Sequence, residues 1–343
     1  MVRVARGLRD LGHDVEMVVC SDTGPFGAEL GAEVPVVNLK SLHMRRSIGP
    51  IVHYLRARRP RTVLVTLDHM ILTVLIARAI SRVPVRVVAR EANHFSARKP
   101  QGIKARLLSK AFLAALRRAD DVIAVSEGVS TDLRIYGKVA RDKLHTIYNP
   151  VVDEELERKA KLDVSHPFLG DGVSPVILAA GRLIEQKDFP TLLRALRELR
   201  ETQAARLIIL GEGPERQKLE KLVGELGLAG AVSLPGFVEN PFGFMRRASA
   251  FVLSSAWEGL PGVLVQAMAC GCPVVSTDCR SGPDEILDNG RFGELVPVGD
   301  SSALAAAIVR TLKAPPDSEV LRARANEFSV ERSLARYEEL LRL

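Results

Sequence analysis

The stretch that decides the fold runs from residue 254 to residue 300 and reads SSAWEGLPGVLVQAMACGCPVVSTDCRSGPDEILDNGRFGELVPVGD. A loop over 258–262 leads into an apolar helix over 263–269, and Gly271 ends that helix. A β-branched strand over 273–277 follows, and Pro283 with acidic residues behind it indicates a second helix start. Two helix N-termini therefore lie beside consecutive strand ends, where exposed N–H groups suit an anionic ligand such as a diphosphate.

Strand-like and helix-like segments alternate along the whole chain, which is typical of βαβ units and parallel sheets. Strands are predicted at 15–19, 62–66, 85–89, 121–126, 176–180, 207–210, 232–235, 250–253 and 274–276. Helices are predicted at 2–11, 49–58, 71–80, 103–119, 189–200, 215–226 and 240–247. Because 343 residues exceed one ordinary domain, the sequence predicts two α/β domains. The segment 163–174 is rich in turn formers and lacks periodicity, so we expect the boundary there.

The composition is that of a globular protein with a full core, since 47% of residues are hydrophobic and 26% are charged. No apolar run reaches the roughly 18 residues that cross a bilayer, and charges interrupt any signal-like N-terminal segment. We therefore expect a cytoplasmic protein. The cysteines are interpreted as small buried thiols rather than as a metal site, and they are Cys20, Cys270, Cys272 and Cys279.

Charge is distributed unevenly along the chain. Residues 1–165 carry 28 basic against 18 acidic side chains, a net +10, whereas residues 166–343 carry 20 against 23, a net −3. The basic half predicts an anionic partner, either a membrane surface or a lipid-phosphate acceptor. Nucleic acid is not expected as a partner, because aromatic residues are only 5% and no nucleic-acid reading motif is present.

The segment 98–118 concentrates this charge, with seven cations and no acid beside a helical stripe of apolar residues. The stripe consists of Ile103, Leu107, Leu108, Phe112 and Leu116. One interpretation is an interfacial helix that lies peripherally on an anionic membrane, such as the inner face of the plasma membrane. The other is a surface helix whose apolar stripe packs on the sheet, and the sequence leaves both open.

The opening stretch resembles the donor-sugar site of the retaining glycosyltransferases of family 4. That family's signature is an acid, seven residues, a second acid, and then a small-residue turn and a strand. Here Glu258 is followed after seven residues by Gln266, so the second acid is an amide. An amide still accepts and donates hydrogen bonds but lacks the strength of a carboxylate. We expect altered nucleotide recognition rather than loss of activity.

The resemblance implies a GT-B fold, an α/β architecture of two facing Rossmann-like doubly wound domains with a cleft between them. Residues 1–165 would form the acceptor-side domain, 166–328 the nucleotide-sugar donor domain, and 329–343 a helix that crosses back to the first domain. The implied enzyme moves a hexose or N-acetylhexosamine from a nucleotide sugar, expected to be a UDP-sugar, to a hydroxyl of a glycan or lipid-linked acceptor. No cofactor or metal is expected, because the chain has no Asp-x-Asp motif.

By the same resemblance, Arg182 and Lys187 hold the donor diphosphate, and both follow the strand that ends near Gly181. Glu258 contacts hydroxyls of the donor sugar, and Gln266 takes the position that binds ribose hydroxyls. The segment formed by Leu260, Pro261, Gly262 and Val263 is expected to offer backbone N–H groups to the diphosphate.

The remaining candidates lie at other predicted strand ends. Gly211 begins a Gly-Glu-Gly-Pro turn that is neither a dinucleotide fingerprint nor a P-loop, and a tight strand–helix turn is enough to explain it, with ligand binding as the alternative. Pro235 and Gly236 are expected to line the nucleotide base. His94 is a candidate for contact with the donor sugar, although an ordinary surface histidine is the alternative.

The start of the chain departs from the family pattern. Residues 1–12 are predicted to form an amphipathic helix, whereas in the resembling family a strand and a glycine-rich loop come before that helix. We expect a misplaced start or a fragment, with a degenerate protein as the alternative. A non-catalytic sugar-nucleotide-binding module therefore remains a second functional hypothesis, and an epimerase on the same fold would need acid and base groups that the sequence does not identify.

Overall fold

A computed structural model describes residues 1–20, 34–41, 44–96, 102–170 and 174–342. The strands are β1 (Met17–Val19), β2 (Val36–Asn38), β3 (Thr62–Thr66), β4 (Arg86–Glu91), β5 (Asp121–Ala124), β6 (Leu144–Thr146), β7 (Val176–Ala180), β8 (Arg206–Leu210), β9 (Val232–Gly236), β10 (Ala250–Leu253), β11 (Val274–Thr277) and β12 (Glu294–Val296). The helices are α1 (Val2–Asp10), α2 (Met44–Arg58), α3 (Asp68–Ser81), α4 (Gly102–Leu116), α5 (Glu127–Ile135), α6 (Glu154–Ala160), α7 (Phe189–Leu199), α8 (Arg216–Glu225), α9 (Pro241–Arg247), α10 (Gly262–Ala269), α11 (Pro283–Ile286), α12 (Ser301–Lys313), α13 (Ser318–Ala325) and α14 (Val330–Leu341).

The chain divides into two compact units, one formed by 1–150 together with 330–343 and the other by 151–329. The sequence analysis put the boundary at 165, but the structure assigns 151–165 to the second unit. Two hydrogen bonds between residues that are distant in sequence explain the difference. The Asn240 side chain donates to the Lys159 carbonyl at 3.0 Å, and Arg247 donates to the Val164 carbonyl at 2.8 Å. Both contacts join the α6 region to α9, which belongs to the second unit.

The first unit contains two parallel sheets in its described residues. β1 pairs with β2, and the other sheet has the order β3-β4-β5-β6. The strands β4 and β5 are almost fully buried, as expected for parallel strands with helices on both faces.

Helix α14 is part of this first unit although it is distant in sequence. The Ser333 hydroxyl donates to the Tyr148 carbonyl at 3.0 Å, and Arg86 donates to the Leu340 carbonyl at 2.7 Å. Tyr337, which is 0% exposed, lies in one apolar cluster with Val88 and Ile123. The last helix therefore completes the core of the first unit.

The second unit is a single parallel sheet with the order β12-β11-β10-β7-β8-β9. Alternate residues of the strands, such as Ile177 and Ala179 of β7, share a cluster with buried residues of α7 and α12. Leu178, between them, is 1% exposed but faces away from that cluster. Both faces of the sheet are thus covered, which makes the unit doubly wound.

The predicted strands are all found, with ends that differ by a few residues. β2, β6 and β12 were not predicted, because each has three residues and is too short to show a period. Within the described ranges, no helix is both long enough and apolar enough to cross a bilayer.

Replacing Tyr337 with Ala is expected to lower the free energy of unfolding by about 3–5 kcal/mol, because it removes a fully buried ring from the core of the first unit. Urea unfolding followed by fluorescence and circular dichroism measures the effect. Arg336→Ala on the exposed face of α14 is the matched control, and it should change stability by less than about 0.5 kcal/mol. Equal effects of the two substitutions would show that α14 does not pack as described.

Candidate active site

The second sheet has a topological switch point between β7 and β10, which are neighbours in the sheet but not in sequence. From β7 the chain continues through β8 and β9 on one side, and from β10 it continues through β11 and β12 on the other. At such a point the loops after two adjacent strands separate and leave a crevice at their carboxyl ends. The loops here are 181–188 and 254–261, which contain the predicted donor-site residues.

An ion pair joins these two loops. The Lys187 ammonium lies 2.5 Å from Glu258 Oε1, and the two side chains are only 16% and 9% exposed. Both residues were predicted for the site, and the structure brings their charged groups into direct contact. Since burial excludes much of the competing water, the pair fixes one cation and one carboxylate at the switch point.

Glu258 has further partners that the sequence analysis missed. The Ser255 hydroxyl donates to Glu258 Oε1 at 2.7 Å, and the Gln186 amide lies 3.4 Å from Oε2. Gln186 also donates to the Trp257 carbonyl at 2.8 Å, and the Ser254 hydroxyl donates to the Lys187 carbonyl at 2.7 Å. The carboxylate is therefore held in one orientation. The serines were visible in sequence, but only their place at the end of β10 gives them this role.

A close backbone approach connects the ends of β7 and β8. The Gly181 N–H donates to the Leu210 carbonyl at 2.9 Å, and the Gly211 N–H donates to the Gly236 carbonyl at 2.8 Å. A Cβ atom on Gly211 would lie 2.0 Å from the Gly181 carbonyl oxygen, and its φ of +137° also disfavours a side chain. Gly211 therefore has a structural role in shaping the strand ends, and Gly181 provides the facing carbonyl.

Helix α10 begins directly after the Glu258 loop. Its N-cap is Pro261, and no side chain caps its first turn. Pro261 has no N–H group, so it cannot donate as the sequence analysis expected of the whole segment. Leu260 is buried, whereas Gly262 and Val263 are half-buried. Uncapped N–H groups at this helix start can therefore bind an anion, and those of Gly262 and Val263 are the candidates.

The other predicted residues of this unit are placed around the same sheet edge. Gln266 is half-buried in the second turn of α10, and Arg182 is exposed after β7. Within the described residues the Arg182 side chain makes no hydrogen bond or ion pair, in contrast to that of Lys187. Pro235 is exposed and Gly236 is buried at the end of β9, and the next residue, Phe237, is 77% exposed. The second expected helix start, at Pro283, opens a helix of only four residues.

His94 lies in the first unit, after β4, and its ring is largely buried. Its Nδ1 is 3.3 Å from Oδ1 of Asp132, whose side chain is 1% exposed. Oδ2 of Asp132 accepts from the backbone N–H groups of Phe95 and Ser96 at 2.7 and 3.1 Å. Burial alone would raise the pKa of Asp132, but His94 and these contacts at Ser96 lower it to about 2. Asp132, which the sequence analysis missed, therefore stays ionised and fixes the loop that carries His94.

The first unit also has a pocket of about 360 Å³ at the carboxyl ends of β3 and β4. Its lining combines polar and apolar side chains, and it consists of Thr66, Leu67, Asp68, His69, Leu72, Glu91, Ala92, Asn93, Leu108, Ser109 and Phe112. Burial raises the pKa of Glu91 to about 7, although its carboxylate accepts from the N–H groups of Ala92 and Asn93. The pocket can therefore hold a molecule with both hydroxyl groups and an apolar part.

Three cysteines of the second unit are buried thiols. Burial raises the pKa of Cys270 and of Cys279 to about 12, and it also raises the pKa of Cys272. Such thiols are poor nucleophiles and poor metal ligands at neutral pH. Throughout the part of the chain that the structure describes, no cluster of three or more His, Cys, Asp or Glu residues could hold a metal ion.

Two family models match consecutive parts of the chain. The model described as Glycosyltransferase Family 4 matches residues 1–155, and the model described as Glycosyl transferases group 1 matches residues 174–314. The second range contains the switch-point loops, the Lys187–Glu258 pair and α10.

Two curated relatives also carry the names of glycosyltransferases. An uncharacterized glycosyltransferase of Methanocaldococcus jannaschii is 32% identical over 189 residues, which are 54% of this chain and 47% of that protein. The N-acetylgalactosamine-N,N'-diacetylbacillosaminyl-diphospho-undecaprenol 4-alpha-N-acetylgalactosaminyltransferase of Campylobacter jejuni is 34% identical over 187 residues, 54% of this chain and 49% of that protein. The chain thus spans about half the length of these relatives.

A solved structure extends the likeness over the whole chain. HepE of Anabaena, solved in complex with UDP-glucose, has a TM-score of 0.84 at 22% identity and covers 99% of this chain and 94% of that one. At this identity the likeness shows the fold. Family models match both halves of the sequence, and the doubly wound second unit and the likeness to HepE agree with them. The chain therefore has the GT-B fold and belongs to glycosyltransferase family 4.

Proposed function

We propose that this protein is a retaining glycosyltransferase that uses a nucleotide sugar, in the first instance a UDP-sugar, as its donor. It transfers a hexose or an N-acetylhexosamine to a hydroxyl group of a lipid-linked or polysaccharide acceptor. The observation that carries the proposal is the buried contact between Lys187 and Glu258 at the switch point, beside the uncapped start of α10.

The reaction exchanges one bond at the anomeric carbon for another. The bond from this carbon to the leaving diphosphate oxygen breaks, and the acceptor hydroxyl oxygen forms the new bond on the same face of the sugar. The hydroxyl proton passes to the departing diphosphate, so no protein nucleophile is needed. Negative charge develops on the diphosphate, and we assign its stabilisation to Lys187, Arg182 and the N–H groups of Gly262 and Val263.

Glu258 acts in this proposal on the sugar rather than on the diphosphate. Ser255 and Gln186 hold its carboxylate in place, so that it can accept hydrogen bonds from sugar hydroxyls without reorganising. Lys187 links the two functions, because one ammonium group contacts the carboxylate and lies on the loop expected to hold the diphosphate. The exposed ring of Phe237 adds an apolar surface against which a nucleotide base can stack.

The relatives support the choice of donor and acceptor. HepE was solved with UDP-glucose, and the name of the Campylobacter jejuni relative specifies a diphospho-undecaprenol-linked acceptor. In this chain, the pocket of the first unit combines carboxylates with apolar side chains, which suits an amphiphilic acceptor with free hydroxyls. His94, held by Asp132, stays a candidate for contact with a sugar.

Replacing Lys187 with Met is expected to lower kcat/KM for release of the nucleotide from its preferred nucleotide sugar by about 100-fold or more. The reason is that the variant lacks a cation beside the negative charge that develops on the leaving diphosphate. The assay screens UDP-, GDP- and ADP-sugars with a suitable acceptor or with water. Lys221→Met is the matched control, because Lys221 is 79% exposed on α8 and pairs only with Glu225. Turnover of the Lys187 variant at the level of the control would contradict the proposed role.

A double variant separates this role from a purely structural one. Lys187→Met leaves the Glu258 carboxylate without its cation and should cost about 3 kcal/mol of stability. Adding Glu258→Gln removes the unpaired charge and should restore much of the melting temperature without restoring nucleotide release. Recovery of both together would mean that the pair only stabilises the fold.

Replacing Gln266 with Glu is expected to tighten binding of the donor nucleotide about fivefold to tenfold, since a carboxylate forms stronger hydrogen bonds to ribose hydroxyls than an amide does. Isothermal titration with nucleotide diphosphates and their sugars measures the affinity and the preference among donors. Gln217→Glu, an exposed residue on α8, makes the same charge change outside α10 and the Glu258 loop. Unchanged affinity and unchanged preference in the Gln266 variant would remove Gln266 from the nucleotide site.

A further inference from the structure

The apolar stripe of α4 divides into a buried part and an exposed part. Phe112 and Leu116, in the second half of the helix, are 2% and 0% exposed, and they anchor α4 on the first unit. Ile103 and Leu107, in the first half, are 77% and 60% exposed. Neither alternative from the sequence is therefore complete, because only half of the stripe packs on the protein and the other half leaves large apolar side chains uncovered.

Cations surround the exposed part. Lys104, Arg106 and Lys110 are all exposed on the same half of the helix, and no Asp or Glu occurs from residue 102 to residue 118. In the described part of the chain, the side chains of these three cations make no ion pair or hydrogen bond. The predicted cations Arg98 and Lys99 lie outside the described residues.

We propose that the first half of α4, residues 102–110, docks on the surface of a bilayer that contains anionic lipid. Ile103 and Leu107 are one helical turn apart and therefore project from the same side of the helix. Arg106 follows Ile103 by three residues, and Lys110 follows Leu107 by three, so each apolar side chain has a cation next to it. Apolar side chains between flexible cations suit the boundary between headgroups and acyl chains, where the cations reach the lipid phosphates.

Charge complementarity favours an anionic bilayer over a protein partner. A helix segment that carries three cations and no acid of its own attracts any dense negative charge. The neighbouring apolar side chains add an attraction that is not specific in shape, because a bilayer accepts Ile103 and Leu107 without a matching pocket. An acidic protein would need such pockets, so the bilayer is the occupant that these side chains favour, and self-association of the chain is the alternative outcome of the test.

The position of this helix also has a consequence for the pocket of the first unit. Leu108 is 50% exposed and at the same time lines that pocket together with Ser109. Docking through Ile103 and Leu107 would therefore bring the mouth of the pocket close to the lipid headgroups. This step rests on the proposed function, because only a lipid-linked acceptor would gain from it, whereas the docking itself does not depend on any activity.

Sedimentation with lipid vesicles tests the docking without donor or acceptor. The full chain is expected to bind phosphatidylglycerol-containing vesicles, to bind pure phosphatidylcholine vesicles much more weakly, and to dissociate as salt is raised. The double substitution Ile103→Ser and Leu107→Ser should lower the partition coefficient at least tenfold. Lys104→Gln with Lys110→Gln should lower it by about fivefold for each cation.

Matched controls make this assignment specific. Ile135→Ser removes a 54% exposed apolar side chain from α5, and Lys221→Gln removes an exposed cation from α8. Both should bind vesicles as the unchanged protein does, and circular dichroism should show that all variants stay folded. Equal binding by the Ile103 and Leu107 variant and its controls would overturn the proposal. A second result would also overturn it: the unchanged protein does not bind vesicles but self-associates in ultracentrifugation, and the Ile103 and Leu107 variant does not self-associate.

Discussion

The contact between Lys187 and Glu258 is the interaction on which the proposed chemistry depends. The two residues are 71 positions apart, and they meet only because β7 and β10 are neighbours at the point where the strand order reverses. Hydrogen bonds from Ser254 and Gln186 then tie the two loops together, and Ser255 holds the Glu258 carboxylate within its own loop. A cation and a carboxylate with fixed positions can stabilise charge on one group and bind hydroxyls on another, which neither could do from a mobile surface loop.

In the first unit, a buried carboxylate likewise fixes the loop that carries a candidate site residue. Asp132 is buried in α5, and it holds the backbone at Phe95 and Ser96 as well as His94. Its low pKa keeps it charged, so the loop after β4 stays fixed over the physiological pH range. The pocket beside this loop and the exposed half of α4 share Leu108, which connects a candidate acceptor site with a candidate membrane contact.

Much of the fold and of the candidate site could be predicted from the sequence, and the wrong or missing predictions have physical reasons. The long buried strands and most of the longer helices were predicted because their periods extend over enough residues, whereas β2, β6 and β12 are too short to show one, and α12 was not predicted. Glu258, Lys187 and Gln266 were recognisable by motif, but the partners Ser255 and Gln186 depend on which strands are adjacent. The boundary was placed at 165 because turn-forming residues lie there, yet Asn240 and Arg247 bind the preceding segment to the second unit. The α4 stripe has one helical period throughout, so its division into buried and exposed halves could not be read from the pattern.

The most direct test of the central claim is an isothermal titration of the full chain with UDP, GDP and ADP, each compared with its own monophosphate. The account predicts that one diphosphate saturates the protein with a stoichiometry of one, and that its monophosphate binds at least about tenfold more weakly because a charged group facing Lys187 and the start of α10 is missing. Saturable binding that does not distinguish the diphosphate from the monophosphate, or no saturable binding by any of the nucleotides, would contradict the assignment of the switch point as the donor site.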